Sequence, residues 1–126
     1  MFIRGGFILA VLLLPACASF WQPSGKPATS LAIDLSSFNN MGLYGPPDGL
    51  RSLSYEFCIP ADTAILRRIE TIDVKARVYR SSPGRIGCND HQWLMISDTH
   101  RPDYRKVLGR LAAEPVIDKI APVWFE

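Results

Sequence analysis

Histidine and cysteine are scarce in this chain, two of the first and three of the second among 126 residues. Cys17, Cys58 and Cys88 stand far apart, and no Cys-x-x-Cys occurs. The spacing of zinc ribbons and dithiol redox centres is therefore missing. An excess of charge of one sign is missing too. Lys+Arg number 14 against Asp+Glu 12, a formal net charge of +2, which gives no electrostatic case for nucleic acid or for strong attraction to anionic lipid. No Gly-x-Ser-x-Gly is present, and neither histidine has a serine placed for activation. Gly84-Arg85-Ile86-Gly87 is not a phosphate loop, because it lacks the Lys-Ser/Thr ending and runs into a strand pattern. No repeat is visible, and no apolar run approaches the ~20 residues that cross a bilayer as a helix. The length fits one domain at most.

What is present begins with a leader. Arg4 and the amino terminus supply positive charge, and Phe7-Ile8-Leu9-Ala10-Val11-Leu12-Leu13-Leu14 forms an apolar core of the kind found in export signals. Leu14-Pro15-Ala16-Cys17 follows directly. This segment resembles the lipobox of bacterial lipoproteins: leucine three positions before a cysteine, a small residue just before it, then the cysteine. Pro15 stands where a small or β-branched residue is commoner. The resemblance covers about the first nineteen residues and implies that residues 1–16 are removed as a signal peptide while Cys17 carries a lipid. Ala18-Ser19, with no Asp after the cysteine, implies sorting to the outer membrane, facing the periplasm. Ala16-Cys17-Ala18 also fits the A-x-A site of ordinary signal peptidase, which would release an unlipidated protein. Residues 17–50 read as a lipid-anchored tether and irregular lead-in. The stretch from Ala18 to Ser30 has two prolines, a glycine and no period, with Phe20 and Trp21 placed to settle at the headgroup level. Leu31–Leu35 alternates weakly as a short strand, and Asn39-Asn40 and Gly45-Pro46-Pro47-Asp48-Gly49 are turn signals.

Residues 51–126 carry a clear rhythm. Leu53–Ile59 alternates as a half-buried strand closed by Pro60. Asp62 or Thr63 can cap a helix whose stripe is Ile65, Leu66, Ile69 and Ile72. Lys75–Tyr79 alternates again, Ser82-Pro83-Gly84-Arg85 suits a type II turn, and a strand returns from Ile86, most plainly over Gln92–Ile96. Asp98 or Thr99 is the expected cap of a second helix, with Tyr104, Val107, Leu108 and Leu111 at helical spacing. Gly109 within it costs about 1 kcal/mol against alanine. Pro115 ends that helix, and Val116–Val123 reads as a last strand. The order β-α-β-β-α-β makes the expected fold α+β, a ferredoxin-like antiparallel sheet with two helices on one face.

That arrangement makes the first and third of these strands antiparallel neighbours. Cys58 ends one and Cys88 begins the other, at the same end of the sheet, so a Cys58–Cys88 disulfide is expected in an oxidising compartment; the alternative is two separately buried thiols. His91 and His100, with Asp90 and Asp98, are the suspects for metal or acid–base chemistry. The strand between them separates the pairs by roughly 20 Å at about 3.3 Å per residue, so no metal site and no cofactor are expected. The face of the sheet away from the helices is a candidate partner surface, with Arg77, Tyr79 and Trp93 as the residue types that concentrate in binding hot spots. On the third strand that face carries either Trp93 and Met95 or Leu94 and Ile96. Trp93 is otherwise packed under the helices or covered by residues 31–50. Val123-Trp124-Phe125 is a docked strand end or an exposed tail. The expectation is a non-enzymatic binding or accessory module of the cell envelope, with the membrane through Cys17 and an envelope protein as partners and no nucleic acid. The alternatives are a protease-propeptide or inhibitor-like module, an analogy of architecture alone, and a small metal-binding enzyme using His91 or His100.

Overall fold

The computed structural model describes residues 29–123. The apolar leader, Cys17, Phe20, Trp21 and the terminal Trp124-Phe125 lie outside the described residues. The rest is α+β, with two helices and a mostly antiparallel sheet of five strands. Its spine is β4 (Ser54–Pro60) against β6 (Gln92–Asp98), antiparallel in register from Ser54↔Asp98 to Pro60↔Gln92. On one side β5 (Arg77–Tyr79) pairs antiparallel with β6. On the other, β7 (Lys119–Val123) pairs antiparallel with β4, and β1 (Ser30–Leu31) adds a parallel edge to β7. The order across the sheet is β1-β7-β4-β6-β5. A separate two-stranded hairpin joins β2 (Leu43–Tyr44) to β3 (Arg51–Ser52). Three strands are shorter than their alternation suggests: Lys75 and Ala76 precede β5, residues 86–91 precede β6 as a loop, and Val116–Asp118 precede β7.

Alternation places Tyr55, Phe57 and Ile59 on one face of β4, and each is fully buried. Opposite them in register are Ser97, Met95 and Trp93 of β6, and beside Phe57 is Ile120 of β7. Both helices cover this face. Helix α1 (Thr63–Ile72) is capped by Asp62, whose Oδ1 accepts from the Ile65 amide at 3.0 Å, and it buries Leu66, Ile69 and Ile72. Helix α2 (Tyr104–Ala112) buries Tyr104, Val107, Leu108 and Leu111. Burying a side chain of this size contributes about 1.5–3 kcal/mol, so these two stripes carry the layer.

The cap of α2 differs from the expectation. Asp103, rather than Asp98 or Thr99, stands at its N-cap, without a side-chain bond, while Asp98 and Thr99 are engaged elsewhere. Asp98 Oδ1 accepts from Lys75 Nζ at 2.6 Å and from the His100 amide at 2.8 Å. The Thr99 hydroxyl donates to the Gly42 carbonyl at 2.7 Å and accepts from the Leu53 amide at 3.0 Å.

That threonine ties down the lead-in, which shares the core although it shows little periodicity. Ile33 and Phe38 are buried within the same apolar cluster as the helices. The Phe38 ring stacks on Tyr44 at 5.2 Å and meets Tyr104 at 5.9 Å, and the Tyr104 hydroxyl donates to the Asn39 carbonyl at 2.9 Å. Gly42 is required where the hairpin meets Thr99. Its φ is 74°, and a Cβ there would stand 1.6 Å from the Thr99 carbonyl oxygen. The packed core thus begins before residue 51.

Candidate functional site

Cys58 and Cys88 form a disulfide, with Cα atoms 5.6 Å apart. Its effect reaches beyond stapling. Cys58 lies on the face of β4 that points away from the helices, and Cys88 lies in the loop from β5 to β6. The bond pins that loop across the sheet. The Ile86 amide donates to Glu56 Oε1 at 2.6 Å. A Cβ on Gly84, whose φ is 63°, would meet Leu94 at 2.7 Å and Glu56 Oε2 at 2.8 Å. The loop closes on itself when the Gly87 and Cys88 amides donate to the Pro83 carbonyl. Glu56 and Leu94 are thereby buried on the side that the sequence leaves open. The second face of the sheet is therefore covered at this end, and a cavity of about 190 Å³ remains beside the disulfide, lined by Ile86, Gly87, Gln92, Asp118 and Lys119.

Arg77, Tyr79 and Trp93 do not share a face. Arg77 and Tyr79 pair with Ile96 and Leu94, so they belong to the side away from the helices. Trp93 pairs with Ile59, so it belongs to the helix side, at the sheet's end, where it is half-buried and stacks under the Arg80 guanidinium at 4.4 Å. Of the three expected residues, Arg77 and Tyr79 are exposed together on β5 and Trp93 lies on the opposite side of the sheet. The histidines flank β6 at opposite ends. His91 is held by its amide to Asn89 Oδ1 and by its carbonyl to the Ala61 amide, while the His100 carbonyl accepts from Lys75 Nζ. Among the described residues no three His, Cys, Asp or Glu side chains gather as a metal site.

The most concentrated polar chemistry gathers around Asp73, a residue that strand alternation does not single out. Asp73, just past the end of α1, is fully buried. Its Oδ2 accepts from the Tyr55 hydroxyl, and its Oδ1 accepts from Ser97 Oγ at 3.0 Å and from Arg101 Nη1 at 2.6 Å. Arg101 Nη2 donates to the Tyr55 oxygen at 2.6 Å. Four elements meet here: β4, β6, the end of α1 and the entry to α2. Burial, with the Asp73 charge, pushes the Tyr55 phenol far above its ordinary range. Burial alone would lower the Arg101 value, but the bond to Asp73 and the surrounding negative charge outweigh it and raise it. Tyr55 is thus neutral and Arg101 charged at any physiological pH. Asp73 has a signal in the sequence: it lies four residues after Ile69, on the apolar stripe of α1, where a lone charge needs a buried partner.

Within this cluster Tyr55 and Asp73 are sealed from solvent, and only Arg101 reaches its outer side. Its outer edge opens on a groove of about 380 Å³ between α1 and α2, lined by Thr71, Val74, Lys75, Asp103, Lys106 and Arg110, with Arg101, Ile72 and Val107 beneath. Comparison with protein-family models, with curated proteins and with solved structures gives no match.

Proposed function

We propose that this protein is a lipid-anchored module of the bacterial cell envelope, moored through Cys17 at the outer membrane and facing the periplasm, and that it acts there by binding a protein partner rather than by catalysis. One observation carries the reading: Cys58 is paired with Cys88. That leaves Cys17 as the odd cysteine, and it is the one that directly follows the apolar leader. A lasting structural disulfide belongs to an oxidising compartment, and an acylated cysteine must be one that no disulfide consumes. Lipidation contributes about 0.8 kcal/mol per buried methylene, and two chains anchor stably. The binding role is supported by the polar groups themselves. The two histidines are held apart by β6, and the strongest polar cluster is buried, whereas Arg77 and Tyr79 stand exposed at the edge of the sheet.

The architecture is read in finer terms as well. The central order β7-β4-β6-β5, with α1 following β4 and α2 following β6, supports a ferredoxin-like β-α-β-β-α-β unit to which β1 and the β2–β3 hairpin are added.

Intact mass spectrometry of the protein from membranes tests the proposal. The expected species starts at Cys17, carries diacylglyceryl and acyl groups on that residue, and is lighter by two hydrogens for the closed disulfide. A full-length chain with its leader uncut and all thiols reduced would overturn it.

A further inference from the structure

The groove between α1 and α2 holds a donor that the buried cluster does not use. Arg101 is 8% exposed, and its Nη1 and Nη2 are spent on Asp73 and Tyr55. Its Nε is buried with no hydrogen-bond acceptor among the described residues. Asp103 Oδ1 stands 3.9 Å from it, beyond hydrogen-bond length, on a side chain that is 58% exposed. A buried N–H of a cation left without an acceptor is costly, and this one lies on the side of the guanidinium toward Asp103 and the groove.

The walls are of matching chemistry. Lys106 and Arg110 stand one turn apart on α2, line the same groove, and enter no ion pair among the described residues. Lys75 completes the rim, already engaged with Asp98. Ile72 and Val107 lie beneath, and Val74 at the mouth is 82% exposed. Donors thus converge from the floor and from one wall, a layout that suits an anion with oxygens in several directions better than a planar carboxylate. The volume exceeds what a bare anion needs, and the apolar patch gives its substituent somewhere to lie.

We propose that this groove binds a phosphate group, either free or at the head of an anionic lipid, with Arg101 Nε–H as the buried donor and Lys106 and Arg110 as the charges that draw it in. Asp103 is the competing anion and swings aside when the ligand enters. This reading does not depend on lipidation of Cys17.

The test uses the full chain in detergent at constant ionic strength, with chloride as the balancing salt. It is titrated with inorganic phosphate, with dihexanoyl phosphatidylglycerol, and with dihexanoyl phosphatidylcholine as the zwitterionic control. Binding is read from the melting temperature and from the Arg101 Nε–H resonance. Either phosphate or phosphatidylglycerol should raise the first and shift the second, and the tighter of the two identifies the source. Lys106→Ala with Arg110→Ala should weaken binding by on the order of tenfold, since two charge-assisted contacts are lost. Asp103→Asn should tighten it. These residues are exposed, so the variants keep the core that Arg101→Ala would break. No response beyond chloride, or an equal response in the double variant, overturns the proposal.

Discussion

Tyr55 owes its importance to a single atom. Its ring is part of the apolar layer, but its hydroxyl donates to Asp73 and accepts from Arg101. Tyr55→Phe leaves the ring and removes that atom, so a buried ion pair loses a bond on each side. The expected loss is about 1–3 kcal/mol, and Asp73→Ala, which strands the Arg101 charge, should cost about 3–5 kcal/mol. Urea denaturation checks both, and a Tyr55→Phe protein as stable as the parent would show that the cluster is held without the phenol. At this scale the sequence is only partly legible. Leu53, Tyr55 and Phe57 declare their face by alternation, and Asp62 declares its cap. Ser97 and Arg101 carry no such mark, because their value comes from meeting Asp73 across 24 and 28 residues of chain. Trp93 is ambiguous in the sequence for a different reason. Trp93-Leu94-Met95-Ile96 is apolar on both sides, and period-two alternation disappears when both faces of a strand are covered.

Among the elements, the loop from β5 to β6 does the most with the least secondary structure. It lays Gly84 and Ile86 over Glu56 and Leu94, and the Cys58–Cys88 bond holds it there. The bond closes a loop with a sequence separation of 30, which contributes roughly 3.5 kcal/mol in the chain-entropy model. Replacing both cysteines with serine should lower stability by about that amount, and adding reductant to the parent should reproduce it. The same denaturant midpoint in both proteins would show that the loop stays down without the bond. Both helices and the strands β4 to β7 are readable from their period, and α1 from its cap as well. The lead-in is not: it packs through isolated anchors, Ile33 and Phe38, and through the Thr99 hydroxyl, none of which recurs at a fixed spacing.

For the molecule as a whole, the ionisable groups set the pH range of greatest stability. Burial acts to raise the Asp98 carboxyl, but the bond from Lys75, the His100 amide and the charges of Lys75 and Arg101 hold it below its ordinary value of 3.8. A group depressed in the folded state stabilises fully above that ordinary value and loses its contribution as pH falls below it. The Tyr55 phenol is raised from 10.0, so its contribution is complete below pH 10 and declines as pH rises further, where the unfolded chain ionises. Melting temperatures measured from pH 2 to 11 should therefore fall at both extremes, and Tyr55→Phe should remove part of the alkaline fall. An alkaline limb identical in parent and variant would place its origin elsewhere. The two rims of the sheet have a consequence of their own. Among the described residues the parallel strand on one side spans two residues and the antiparallel one on the other three, few free peptide groups with which to recruit a strand from a neighbouring chain. Rims this short are poor templates for the edge-to-edge joining of copies that seeds fibrils.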